Sequence, residues 1–364
     1  MVWIAPKIVA PSGRPYYIGS ISSLAADGHG GLRVTEGFSL KVQIQSEIKK
    51  RDICVLGGTG FVGRHLVNQL VKQGCHVRLL TRNRERHRDL LVWPGVEMIE
   101  ANIHDAQVLH KYFDGCGTVI NLAAILNEKR HGDFHIVHVD LPRKVVQTCM
   151  AHGVRRLLHM SALNANVRGL SHYLRSKGEG EGLVHSASTQ GLQVTSFRPS
   201  VIFGPDDHLF NGFARILKRV PVAPVPCAAT HFSPIFVGDV VHCFMVALQD
   251  HATIGQRYDL CGPKSYTMQQ LMEYTAQVLD LHRHIIGLGR ASSRVMASIM
   301  EFLPGKLFTH DNYLSMKTDS VCQGEFPAIF GTHRTALEVV VPAYLGHRDQ
   351  RARYYDYRRS AGRD

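Results

Sequence analysis

Three observations predict an α/β fold built on a doubly wound parallel sheet. The first is a glycine-rich turn, Gly57-Gly58-Thr59-Gly60-Phe61-Val62-Gly63, set directly after the apolar run 53–56. The second is the alternation of strand-like and helix-like segments from residue 52 onward. The third is their spacing, since helical runs of this length between strands imply right-handed crossovers joining parallel neighbours. The expected architecture is a Rossmann-type doubly wound parallel sheet with a smaller C-terminal lobe.

The first strand, 52–57, is short and apolar, as a strand buried on both faces should be. A helix over 61–73 follows, and the glycines between are spaced G-x-x-G-x-x-G. Gly57 lets the chain turn sharply, Gly60 lets a pyrophosphate approach the backbone, and Gly63 lets the helix pack close on the strand. The helix N-terminus offers free N–H groups and partial positive charge to phosphates. A tight βα turn beside an empty crevice is the plain alternative. The strand and helix context favours a dinucleotide, held by Gly57, Gly58, Thr59, Gly60, Phe61, Val62 and Gly63.

The second strand, 76–81, ends in Thr81-Arg82-Asn83-Arg84. An NAD site places a carboxylate there for the ribose 2′-hydroxyl. Arg82 and Arg84 stand there instead, and a guanidinium can grip a 2′-phosphate with two hydrogen bonds. NADP(H) is therefore expected, with NAD(H) the lesser choice. Arg86 and Arg88 keep open the reading that all four are solvated loop residues.

Further strands are expected at 96–100, 117–122, 155–160 and 193–198, with helices at 105–112, 134–152 and 171–189. Ser161 follows the fifth strand, and Tyr173 and Lys177 stand at i, i+4 on one helical face. A nearby ammonium favours the phenolate and lowers the tyrosine pKa. Ser161 could hydrogen-bond a substrate carbonyl, and Lys177 could hold the nicotinamide ribose. Together they suggest hydride transfer to or from a carbonyl or carbinol. His131, His135 and His138 would share a helical face at i, i+4 and i+7. No H-E-x-x-H pattern accompanies them, and with 22 histidines in the chain chance clustering explains them, so no metal site is expected.

Beyond Pro199 the rhythm loosens. Helices are expected at 209–218, 237–248 and 267–280 and a strand at 256–260, followed by helical segments over 290–346 broken by Pro304-Gly305. The expected organisation is a poorly ordered N-terminal extension over 1–50, a dinucleotide-binding domain over 51–200, a smaller lobe over 201–346 that completes the sheet and adds helices, and a basic tail over 347–364. Residues 1–26 hold no Asp or Glu, but a single Arg is too few for a transit peptide.

At 45% hydrophobic and 20% charged residues, the 364-residue chain is composed like an ordinary globular protein. No apolar run reaches the roughly 20 residues of a membrane span. A net charge of +12 favours anionic partners, and the absence of a basic, aromatic-interleaved stripe argues against nucleic acid. The eight cysteines form no C-x-x-C pair, so a reducing compartment is expected rather than a disulfide framework. The apolar, Met-rich run of Val295, Met296, Ile299, Met300, Phe302 and Leu303 reads as core packing, with partner or membrane docking as the alternative.

With these residues in view, the chain from about 52 to 346 resembles the extended or atypical short-chain dehydrogenases/reductases of the NAD-dependent epimerase/dehydratase type. More closely it resembles the NADPH-binding accessory-subunit family of respiratory complex I, alpha-subcomplex subunit 9. The resemblance lies in His159-Met160-Ser161-Ala162-Leu163-Asn164-Ala165-Asn166, Tyr173-Leu174-Arg175-Ser176-Lys177-Gly178-Glu179, Ile202-Phe203-Gly204-Pro205-Asp206-Asp207, Phe210-Asn211-Gly212-Phe213-Ala214, Thr309-His310-Asp311-Asn312 and Thr318-Asp319-Ser320-Val321. It implies a bound NADPH touched also by Asn102, Ile103, Leu122, Ala123, Ala124 and Pro199, besides Ser161, Tyr173 and Lys177. Asn102 stands where many relatives carry an Asp. The resemblance further implies a structural or assembly role on complex I. The expected location is cytoplasmic, peripheral on the inner respiratory membrane, with no transmembrane helix and with complex I subunits and anionic lipid as partners. The alternative is an NADP-dependent reductase, epimerase or dehydratase acting on a sugar nucleotide or another small carbonyl or hydroxyl compound, using Ser161, Tyr173 and Lys177.

Overall fold

The computed structural model describes residues 52–301, 308–331 and 333–346. The expected N-terminal extension, the Pro304-Gly305 break and the basic tail lie outside them, as do Phe302 and Leu303. In chain order the strands are β1 (Asp52–Leu56), β2 (Val77–Thr81), β3 (Val96–Glu100), β4 (Cys116–Asn121), β5 (Arg156–Met160), β6 (Gln193–Pro199), β7 (Ile202–Phe203), β8 (Val222–Val225), β9 (His231–Phe232), β10 (Ile235–Phe236), β11 (Arg257–Leu260), β12 (Tyr266–Thr267) and β13 (His284–Gly287). The helices are α1 (Phe61–Lys72), α2 (Ala106–Phe113), α3 (Leu141–Ala151), α4 (His172–Ser186), α5 (Phe210–Leu217), α6 (Val237–Gln249), α7 (Met268–Val278), α8 (Arg290–Met300), α9 (His310–Ser315) and α10 (Leu337–Leu345).

Seven strands make one sheet in the order β11-β6-β5-β4-β1-β2-β3. Every neighbouring pair is parallel, with Val55 opposite Leu79 on one side and Ile120 on the other. Central strands are buried on both faces, which is why β4 and β5 are buried along their whole length. Chain order reverses between β1 and β4, and such a reversal opens a crevice at the carboxyl ends of the strands. α1 and α6 cover one face, where Ile53, Val55, Leu66, Leu70, Val240 and Phe244 pack together. α2, α3 and α4 cover the other, with Leu109, Phe113, Val145 and Val184 against Cys54 and Leu56.

The expected helix over 134–152 is continuous but not uniform. A single turn, Asp133–His135, passes into a π-helix, Ile136–Asp140, before α3 begins. The wider turn shifts the phase, so His138 is buried while His131 and His135 stay exposed. The expected shared face of the three histidines is therefore not formed. α4 crosses this stretch at Gly180, where a Cβ would lie 1.7 Å from the His138 carbonyl oxygen.

The smaller lobe gathers around Phe203, Phe210, Leu271 and Val341. It adds short two-stranded pairs, β10 with β7, β12 with β9 and β13 with β8. The segment around Ser320 returns to the carboxyl ends of β6 and β11. Ser320 pairs with Phe232, accepts the Ser233 N–H and the Ser200 hydroxyl, and Cys322 is disulfide-bonded to Cys261 just beyond β11. The expectation of a reducing compartment without a disulfide framework did not foresee this one bond. The two partners are 61 residues apart in sequence, and only the return of the chain brings their Cα atoms to 6.0 Å. Cys54, Cys75, Cys116, Cys149, Cys227 and Cys243 are buried thiols.

A buried cation on β5 ties β6 to α6 and the turn that follows it. Arg156 donates to the Gln193 and Ala247 carbonyls and to the Thr195 and Thr253 hydroxyls at 2.6 to 3.1 Å. Among the described residues it forms no ion pair, and burial pulls its pKa down to about 10.

Candidate functional site: a dinucleotide crevice

The glycine turn is shaped by contacts that no side chain would fit. Gly57 has φ 76°, and a Cβ there would lie 2.9 Å from the Ala123 nitrogen. A Cβ on Gly63 would lie 2.4 Å from the Gly57 oxygen, and one on Gly58 would enter the Leu79 side chain at 2.3 Å. Gly60 differs. It is exposed, and its only near neighbour would be the Gly57 oxygen at 3.3 Å, so space remains in front of it. Gly60 is also the N-cap of α1, which has no side-chain cap and no acidic residue in its first turn. The positive end of the helix and its free N–H groups therefore face open space, which fits a pyrophosphate.

At the end of β2, Arg82 and Arg84 are exposed and form no ion pair among the described residues. Their neighbours are paired, Arg64 with Asp89 at 2.6 Å and Arg88 with Glu85. The Arg84 backbone N–H donates to Glu100 at 3.0 Å. His104 lies close by, and its pKa is lowered by burial, by Lys144 and by Arg82. Asn102 accepts the His104 N–H at 3.1 Å, so its side-chain oxygen organises the turn after β3. Ile103 is half-buried beside it. Leu122 and Ala123 are half-buried and Ala124 exposed beyond β4, and the Ala123 N–H donates to the Asn121 side chain. Pro199 ends β6 and accepts the Leu163 N–H at 3.0 Å.

The acid–base group is brought to the same end of the sheet, but its polar atoms have other partners. The Ser161 hydroxyl donates to Glu181 at 2.8 Å, and Glu181 is buried against Arg198 at 2.9 Å and Arg257 at 3.1 Å. Lys177 donates to the Met160 carbonyl at 2.7 Å, and burial lowers its pKa to about 8 against the pull of Glu181. Tyr173 packs on Phe134 and His138, and its hydroxyl has no hydrogen-bond partner among the described residues. The expected lowering of the Tyr173 pKa by an ammonium is reversed, because burial pushes it up to about 12.

Sequence reasoning missed Asp311. Its carboxylate accepts the His172 N–H at 2.6 Å and the Tyr173 N–H at 3.1 Å, capping α4 from 138 residues away in the chain. Ser171 caps the same helix through the Leu174 N–H. Thr309 and Asn312 make a capping box that holds α9, and with it Asp311, in place. The motif 309–312 carried the signal, but not the identity of the partner. His131, His135 and His172 meet Glu128, Arg175 and Glu179 around a separate cleft of about 280 Å3, which neither Tyr173 nor Lys177 lines.

The sequence profile of the NAD dependent epimerase/dehydratase family matches residues 53–261. The mouse protein named NADH dehydrogenase (ubiquinone) 1 alpha subcomplex subunit 9, mitochondrial, is 33% identical over 226 residues, which span 60% of this chain and 59% of that relative. A ceramide reductase from Caulobacter vibrioides is 32% identical over 65% of this chain and 73% of that relative. Among solved structures, the dTDP-glucose 4,6-dehydratase DesIV of Streptomyces venezuelae, solved with NAD bound, superposes with a TM-score of 0.66 at 18% identity, over 85% of this chain and 98% of that one. The last likeness is one of fold.

Proposed function

The chain belongs to the NAD dependent epimerase/dehydratase family, and from that premise we propose that it is an NADP(H)-binding accessory or assembly protein of respiratory complex I in which the cofactor is mainly structural. One observation carries this reading. The nucleotide cradle is open and ready, whereas Ser161 and Lys177 are already bonded to Glu181 and Met160. Glycines 57, 60 and 63 and the start of α1 would take the pyrophosphate. Arg82 and Arg84 would take the 2′-phosphate, and the loops after β3 and β4 the adenosine and ribose. NADPH bound there would bring a reducing nicotinamide beside Tyr173. A ligand bound only by the folded state adds about 2.7 kcal/mol at a hundredfold excess over Kd, which is what a structural cofactor supplies.

No helix among the described residues is long and apolar enough to cross a membrane. The mouse relative's name, the +12 charge and the arginines between 348 and 363 support a peripheral position on the inner respiratory membrane, against complex I subunits and anionic lipid. The second reading, an NADP-dependent reductase, epimerase or dehydratase, is favoured by the likeness to the ceramide reductase and by the presence of Ser161, Tyr173 and Lys177 together.

Calorimetry with NADPH and NADH tests the cofactor. NADPH should bind more tightly by about 1.5–3 kcal/mol, and the double change Arg82→Ala/Arg84→Ala should erase the difference. Equal affinities in the unchanged protein defeat the NADP reading. Tyr173→Phe then separates the two functions. An accessory protein should still complement a deletion strain, whereas an enzyme should lose at least about 10²-fold in turnover and fail.

A further inference from the structure

His138 sits where the loop after β4 meets the helix that carries Tyr173 and Lys177. Its ring is 2% exposed, stacked on Phe134 at 5.4 Å and edge-on to Tyr173 at 5.5 Å. Its Nε2 lies 3.2 Å from the Ile125 backbone nitrogen. A backbone N–H can only donate, so Nε2 accepts and the ring proton resides on Nδ1. Nδ1–H donates to the Ser176 hydroxyl at 2.9 Å, and that hydroxyl donates to the Tyr173 carbonyl at 2.9 Å. The direction of every bond in this relay is fixed by its first member.

The relay joins two parts of the crevice. Ile125 is two residues from Ala123, whose nitrogen lies against the position a Gly57 Cβ would occupy. At the other end, Ser176 and Tyr173 belong to α4 beside Lys177. The π-helix sets the ring at this depth, and the close crossing at Gly180 fixes the backbone behind it. An apolar side chain of similar size would fill the space but leave the Ile125 N–H without an acceptor.

We infer that His138 is a positioning residue for the dinucleotide, tying the 122–125 loop to α4 so that the nicotinamide half is held in register with Tyr173 and Lys177. This rests on the cofactor reading above. The adenosine half lies outside its reach, because Arg82, Arg84 and the turn after β3 are not joined to the relay.

The test is calorimetry on the full chain with two probes, NADPH and adenosine 2′,5′-bisphosphate, which lacks the nicotinamide half. His138→Leu should weaken NADPH binding at least about tenfold and leave the bisphosphate within about twofold. His138→Gln, whose amide oxygen takes the place of Nε2, should bring NADPH back to within about threefold of the unchanged protein. Ser176→Ala, which cuts the far tether and leaves the ring, should weaken NADPH alone, so the inference stays open to test if His138→Leu does not fold. Unchanged NADPH affinity in His138→Leu and Ser176→Ala, equal losses for both probes, or no rescue by a folded His138→Gln overturns the inference while the cofactor reading stands. If the unchanged protein binds neither probe, the cofactor reading fails first.

Discussion

At the scale of single residues, the site is held by groups far from it in sequence. Asp311 is the clearest case. A carboxylate on the first N–H groups of α4 satisfies donors that the helix cannot and complements its positive end. Asp311→Ala should therefore cost about 1 kcal/mol, within the 0.5–2 kcal/mol range of helix caps. Asp311→Asn, which keeps an oxygen acceptor, should recover most of it. Urea denaturation of the three proteins measures this, and an alanine variant as stable as the parent would remove Asp311 from the account. Such residues were not legible in the sequence, although the segment containing Asp311 was singled out. The glycines were legible because their spacing repeats within one turn, where Gly63 packs on the Gly57 oxygen, although Gly57 and Gly58 also meet Ala123 and Leu79 far along the chain. Asp311 and His138 act on partners found only by folding, and nothing in their spacing names those partners.

At the scale of elements, legibility followed length and sequence rhythm. β1, β4 and β5 are inner strands covered on both faces and read as apolar runs, whereas the edge strand β3 carries Glu97 and Glu100 and was placed by its spacing between helices. The pairs β7–β10, β9–β12 and β8–β13 are two to four residues long, too short for any period to show. β8 even contains Pro224, tolerated because its pair has only two strands. The helix before α3 was readable as helix but not as π-helix, since one residue of extra winding leaves the apolar pattern nearly unchanged. Its consequence is the close crossing with α4. Gly180→Ala would drive a methyl into the His138 carbonyl, and neither backbone can yield without separating the two helices. A loss of about 1–3 kcal/mol is expected, as for overpacking elsewhere, with reduced NADPH affinity alongside. Gly182→Ala on the same helix meets nothing and serves as the control, expected to be neutral or slightly stabilising through helix propensity. Equal behaviour of the two variants in thermal melts would refute the crossing.

At the scale of the whole molecule, two buried histidines and one half-buried histidine shape the response to acid. Burial drives the pKa of His138 down to about 2 and that of His185 to about 4, and holds His159 well below its ordinary value. In the unfolded chain all three take up protons as the pH falls through about 6.5, while the folded chain does not until far lower. The unfolded state then binds more protons, so stability falls on acidification. The loss begins near pH 6.5 and should steepen toward an uptake of about three protons before most carboxylates titrate. Denaturation midpoints followed from pH 7.5 to 5 measure this uptake, and a flat profile above pH 5 would contradict the burial of these rings. The disulfide has a different reach. Because Cys261 and Cys322 are joined across 61 residues, a protease cut anywhere between them opens the chain without releasing a piece. The two fragments travel as one species until a thiol reductant parts them, so a digestion map read without reductant would count a nicked C-terminal lobe as whole.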